Sequence, residues 1–110
     1  MDLIPLDLVK VLSRLSGELG ALYGDRYKGL LLYGSYARGE AYEGSDVDLL
    51  LLLEGPVNPV EEILHLEPAK WPISVESGYV LSILPASTDD YRKAEDPFLW
   101  NARREGIPAA

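Results

Sequence analysis

Apolar residues recur at spacings of three and four between Pro5 and Tyr23, where Leu8, Val11, Leu12, Leu15, Leu19 and Leu22 form one stripe. That period predicts an amphipathic helix, and Gly24 is placed to end it. Lys28 to Tyr33 is a short apolar run stopped by Gly34, which predicts a strand. Gly34-Ser35-Tyr36-Ala37-Arg38-Gly39-Glu40 then reads as a tight turn opening into a short helix. Val47 to Leu53 is nearly all leucine, bounded by Ser45-Asp46 and Gly55-Pro56. It is too short for an isolated helix and predicts a strand covered on both faces.

Asn58, Pro59 and Glu61 fit N-cap, N1 and N3 of a third helix, which Pro68 and Pro72 are expected to break or kink. Tyr79 to Pro85, after Gly78, predicts a further strand. Asp96, Pro97 and Gly106 fit N-cap, N1 and C′ of a last helix carrying Phe98, Leu99 and Trp100, with Arg103 and Arg104 near its negative end. Helices and strands alternate from first to last, which is an α/β pattern of helices covering a small sheet. Strand order and direction stay open. No repeat, low-complexity stretch or linker divides the chain, and one domain over 1–110 is expected.

Composition narrows the class. The 110 residues are 47% hydrophobic and 25% charged, as in an ordinary globule rather than a disordered chain. A globule of this size buries roughly 65% of its unfolded surface and can hold a core without staples. With no cysteine, a disulfide framework, a thiolate metal site and a cysteine nucleophile are excluded, and a reducing cytoplasm is the expected setting. Between Met1 and Leu12, Asp2, Pro5, Asp7 and Lys10 interrupt the apolar residues, so neither a signal peptide nor a membrane span is predicted there. The net charge of −8, with ten scattered Lys and Arg, weighs against a broad nucleic-acid surface. Acidity does not exclude a nucleotide that arrives with its metal, because a bound cation reverses the local field.

Asp46 and Asp48 stand two apart at the start of the leucine strand. Period-two geometry puts both side chains on one face, with α-carbons roughly 6.5 Å apart. Two carboxylates that close call for cations between them, and a pair of Mg²⁺ ions is the usual solution in phosphoryl chemistry. Taken alone, Asp-x-Asp is as well read as a solvated strand flank. Gly34-Ser35 has a similar double reading. A glycine at a strand end lets backbone N–H groups approach a phosphate, and Ser35 adds a hydroxyl donor. The same residues also suit a plain strand-to-helix turn. No Walker A loop and no three-glycine dinucleotide fingerprint is present.

In combination the two motifs say more: a strand, Gly34-Ser35, ten intervening residues, then Asp46-x-Asp48 entering a second apolar strand. The stretch Gly34-Ser35-Tyr36-Ala37-Arg38-Gly39-Glu40 … Ser45-Asp46-Val47-Asp48-Leu49 resembles the minimal nucleotidyltransferases of the DNA polymerase β superfamily. A weaker likeness runs on through Tyr79-Val80-Leu81-Ser82-Ile83-Leu84-Pro85 and Pro97-Phe98-Leu99 … Arg103-Arg104-Glu105-Gly106. The resemblance implies a nucleotidyltransferase fold with a small mixed β-sheet. It also implies Mg²⁺-dependent transfer of a nucleoside monophosphate, AMP from ATP, to a hydroxyl with loss of pyrophosphate. On this reading Gly34 and Ser35 hold phosphates, and Asp46 and Asp48 are the catalytic metal ligands. Arg38 either balances phosphate charge or is simply a solvated arginine. Minimal relatives pair with a helical HEPN-domain protein as the antitoxin of a toxin–antitoxin pair, and can modify a tyrosine of that partner.

One position departs from the family. Active members carry a third carboxylate between two apolar residues of a later strand, where this chain has Ser82 between Leu81 and Ile83. Glu76 is expected to end the preceding helix, and Asp89 and Asp90 to lie in a turn or cap. A degenerate module that neutralises a partner by occlusion is therefore the alternative to an active transferase. His65 is expected to be packed or on the surface. Trp71 and Trp100 are expected in a core or interface, and the seven tyrosines at the edge of the core.

Overall fold

The structure, a computed structural model, describes residues 4–109; Met1–Leu3, the start of the N-terminal stretch, and Ala110 lie outside the described residues. Helix α1 (Leu6–Tyr23) buries Leu8, Leu12, Leu15, Leu19 and Tyr23 on one stripe and ends at Gly24. Val11 is only part-buried and Leu22 is exposed, so the stripe is narrower than its sequence pattern. A 3-10 turn (Gly24–Arg26) leads into β1 (Tyr27–Tyr33), α2 (Gly34–Arg38) and β2 (Val47–Leu53). Helix α3 (Pro59–Ser77) starts on the Asn58 side chain, which accepts the Glu61 N–H at 3.3 Å. β3 (Leu81–Ser87), α4 (Thr88–Lys93), α5 (Pro97–Glu105) and β4 (Ile107–Pro108) follow.

The sheet is mixed, in the order β3-β2-β1-β4: β1 runs antiparallel to β2 and to β4, while β2 and β3 are parallel. β2 is central, and of its seven residues only Asp48 escapes full burial. One face of the sheet, with Leu30, Leu32, Val47, Leu49, Leu51, Leu53, Leu81 and Ile83, packs on α1 and α3. The other, with Leu31, Leu50, Leu52 and Leu84, packs on Leu99 and Ala102 of α5 and on Tyr91 of α4. A leucine buried to this degree contributes roughly 1.5–3 kcal/mol.

Three sequence expectations are corrected. Pro68 and Pro72 do not break α3, which runs to Ser77. They stand four apart on its solvent side, as does Leu64, so the carbonyls deprived of an N–H donor face water rather than the core. The third strand runs from Leu81 to Ser87, past Pro85, because β3 is an edge strand and an edge tolerates a missing N–H. Gly106 ends α5 with extended backbone (φ −67°, ψ 143°), not the left-handed turn expected of C′. A side chain there would meet the Ala102 carbonyl oxygen at 2.5 Å, so close approach explains the glycine. Of the two settings expected for Trp71 and Trp100, the core is excluded, since both are exposed, and the interface stands open. Two short elements, α4 and β4, have no counterpart in the sequence reading.

Candidate functional site

Asp48 is the second residue of β2, and strand alternation turns it away from Val47 and Leu49 onto the face of Leu50 and Leu52. Helix α5 packs over the leucines of that face, leaving Asp48 part-exposed near the edge. The registers name its neighbours: Tyr33 lies opposite on antiparallel β1, and Ser82 is level with it on parallel β3. The chain leaves β1 through Gly34, whose φ of +76° is open to glycine and strained for other residues. A Cβ on Gly34 would lie 3.0 Å from Asp48 Cγ and 3.1 Å from its Cβ. The bare backbone of the corner is thus pressed against the carboxylate.

Asp46 sits in the loop just before β2 and is exposed. The loop is shaped by Ser45, whose N–H donates to the Tyr42 carbonyl at 2.9 Å while its Oγ accepts the Tyr42 N–H at 3.0 Å. Burial pushes the Asp48 carboxyl above the usual range, the Asp46 charge adds to the rise, and Arg38 opposes it. The two carboxylates and the guanidinium therefore feel one another. Tyr33 is also raised, mainly by burial and then by the Asp48 charge.

Ser35 is the second residue of α2, where backbone N–H groups have no partner within the helix. Arg38 closes α2 and is half-exposed. Its Nε donates to Glu40 at 2.8 Å and its Nη1 to Glu105 of α5 at 3.2 Å. Gly34, Ser35 and Arg38 thus share one short corner, with Asp48 against it and Asp46 close enough to be felt. Tyr33 and Glu105 were missed by sequence reasoning. Nothing in the sequence links Glu105 to Arg38, 67 residues earlier.

Glu76 ends α3 and pairs with Arg14 at 3.0 Å, and Asp89 and Asp90 lie in the first turn of α4. Among the described residues no group of three or more His, Asp or Glu is arranged to hold a metal. A cavity of about 250 Å³ opens beside Ser45, lined by Tyr36, Glu43 and Tyr79 among others. A larger one, about 740 Å³, lies at the far end of β2 and β3 around Glu54 and Asp89. Neither is lined by Asp46 or Asp48. His65 is exposed, edge-on to Tyr23 at 5.5 Å between ring centroids. No helix among the described residues is long and apolar enough to cross a membrane.

Comparison with known proteins bears on this corner. A Methanocaldococcus jannaschii protein named "Putative protein adenylyltransferase" is 29% identical over 76 residues, covering 69% of this chain and 70% of that protein. A chain from a crystal structure described as a toxin–antitoxin with AMP-PNP superposes with a TM-score of 0.58 at 13% identity, covering 86% of this chain and 72% of that one. At that identity the likeness speaks for the fold. The family model described as "Nucleotidyltransferase domain" matches residues 12–89, which include β1, the Gly34 corner, β2 and β3. With well over half of its length matched, this chain belongs to the nucleotidyltransferase domain family.

Proposed function

We propose that this chain moves AMP from ATP, with Mg²⁺, onto a hydroxyl of a partner protein. The partner is a HEPN-domain toxin modified on a tyrosine, and this chain is its antitoxin. The observation that carries the proposal is the packing of Gly34 on Asp48, with Asp46 and Arg38 within electrostatic reach. A phosphate laid against the corner would meet the N–H groups of α2, the Ser35 hydroxyl and the Arg38 guanidinium together.

The donor set fits magnesium. Carboxylate oxygens are the ligands it prefers, and a protein commonly offers one or two of them and leaves the rest to phosphates and water. Asp46 and Asp48 would hold it, and their mutual repulsion is what a cation relieves. When bound, the metal supplies positive charge that offsets the triphosphate and the charge growing on departing pyrophosphate. In the transfer the acceptor oxygen bonds to the α-phosphorus, the bond to the β-phosphate oxygen breaks, and the hydroxyl proton passes to solvent. The name of the M. jannaschii relative supports a protein acceptor, and the AMP-PNP in the structural neighbour supports ATP. A cytoplasmic setting, with ATP and Mg²⁺ at hand, goes with this reading.

A second reading is favoured by Ser82. It stands level with Asp48 on β3, where a carboxylate would complete a three-acid site. Without that acid the chain would bind its partner and a nucleotide without turnover, neutralising the partner by occlusion. Incubation with α-labelled ATP, Mg²⁺ and the co-purified partner separates the two. Label on the partner that disappears in Asp46→Asn supports transfer. Partner binding that survives Asp46→Asn and Asp48→Asn, with no label at any time, supports occlusion.

A further inference from the structure

Helix α5 meets the Gly34 corner at both ends. Near its start, the Phe98 ring stands edge-on to Tyr33 at 5.4 Å between centroids, and Tyr33 is the residue from which α2 begins. At its end, Glu105 accepts a hydrogen bond from Arg38 Nη1 at 3.2 Å, where α2 stops. The short helix that carries Ser35 and Arg38 is thus bracketed by one longer helix from far along the chain.

α5 itself gains nothing from Glu105. As the last residue of the helix it lies among unpaired carbonyls, where a carboxylate is disfavoured. The neighbouring arginines are engaged elsewhere: Arg103 donates to the Arg92 carbonyl at 2.6 Å, and Arg104 lies over the Trp100 ring at 4.6 Å. Nor does an ion pair with half-exposed Arg38 add much stability. What Glu105 has is a fixed place. Directly after it, a Cβ on Gly106 would lie 2.5 Å from the Ala102 carbonyl oxygen, so the chain is pressed onto the helix. Ile107 then pairs with Leu32 of β1, the strand that leads into the corner. Glu105 is therefore held between a packed helix and a strand ladder, with its side chain 28% exposed. Glu40, the other partner of Arg38, follows Gly39 in the loop and is 64% exposed.

We infer that Glu105 is a positioning residue for the nucleotide, aiming the Arg38 guanidinium at a phosphate laid on the Gly34 corner. The inference rests on the function proposed above. Of the three guanidinium nitrogens, Glu40 anchors Nε and Glu105 anchors Nη1, while Nη2 makes no hydrogen bond among the described residues. The group is planar, so anchoring two nitrogens fixes the direction of the third. Asp48 feels the Arg38 charge, so the anchored cation acts on the corner itself. An arginine already in place has less freedom to lose when a phosphate arrives.

Titration calorimetry of Mg²⁺-ATP on the full chain tests this with four proteins: wild type, Glu105→Ala, Arg38→Gln and the double variant. Glu105→Ala is expected to bind about fivefold more weakly than wild type. In the Arg38→Gln background the same change should have no effect, because no guanidinium is left to aim. Glu105→Gln keeps an acceptor oxygen at the same reach and should recover most of the loss. A carboxylate that only quenched Arg38 or repelled phosphate would act with the opposite sign, and its removal would tighten binding. Equal or tighter binding by Glu105→Ala overturns the inference. A loss of the same size in the Arg38→Gln background also overturns it, since that is what a purely structural role would give. Either result leaves nucleotide binding by the wild type, and the proposed function, untouched. A wild type that takes up no Mg²⁺-ATP overturns both.

Discussion

Gly34 and Asp48 are in contact across two antiparallel strands, with the backbone of one occupying the space that any side chain would take from the carboxylate of the other. The relationship ties the glycine of the first motif to the second carboxylate of the other. A Gly34→Ala chain must accept a positive φ and also displace Asp48, which together cost about 1–3 kcal/mol. Calorimetry should show that loss in the unliganded protein and no stabilisation by Mg²⁺-ATP. Full retention of the nucleotide response would separate the corner from binding.

Asp48 also sets a pH dependence. Burial and the Asp46 charge favour its neutral form in the fold, so the folded state holds this proton more tightly than the unfolded chain. Stability from this group is therefore present at low pH and is lost as pH rises from the ordinary aspartate value through the raised one. Asp48→Asn should melt higher than wild type at pH 7 without metal. The difference should close as pH falls below the ordinary aspartate range. A constant difference at all pH values would contradict the coupling.

Ser82 offers a gain-of-function test. Ser82→Asp sets a carboxylate level with Asp48 on an exposed strand position. It should lower the metal-free melting temperature by like-charge repulsion and tighten Mn²⁺ binding by about tenfold or more, read by titration calorimetry. Unchanged metal affinity would argue that Asp46 and Asp48 do not bind metal.

Arg38 is held by exposed Glu40 at 2.8 Å and by part-buried Glu105 at 3.2 Å. A charge-assisted hydrogen bond to phosphate is worth about 1.5–3 kcal/mol. Arg38→Gln should thus weaken Mg²⁺-ATP by roughly ten- to a hundredfold while leaving stability nearly unchanged. Equal affinity in both would make it a surface arginine.

Away from the site, Glu62 is buried and accepts hydrogen bonds from the Tyr23 hydroxyl at 3.0 Å and Arg26 at 3.2 Å. Tyr23→Phe removes one of these and should destabilise the chain by about 1–2 kcal/mol, seen as a fall of several degrees in Tm.

The sequence made the corner legible because both motifs are local and their strands are dense in leucine. Caps at Asn58 and Asp96 were legible for the same reason: each side chain bonds an N–H two or three residues on. Helix α4 was not, since none of its six residues is buried and it leaves no period; only the Ser87 cap marks it. β4 is two residues long and pairs with Leu31 and Leu32, about 75 positions earlier. The burial of Glu62 depends on Tyr23 and Arg26, which no spacing links to it. Sequence pattern treats prolines as helix breakers, and α3 survives them because only its solvent side is affected.

Thermal melting with and without Mg²⁺-ATP, on wild type beside Asp48→Ala, probes the pairing of glycine corner and carboxylate most directly. Addition should raise the melting temperature of the wild type and leave the variant where it was. An equal rise in both proteins would mean that the nucleotide binds without Asp48, and the site described here would be wrong.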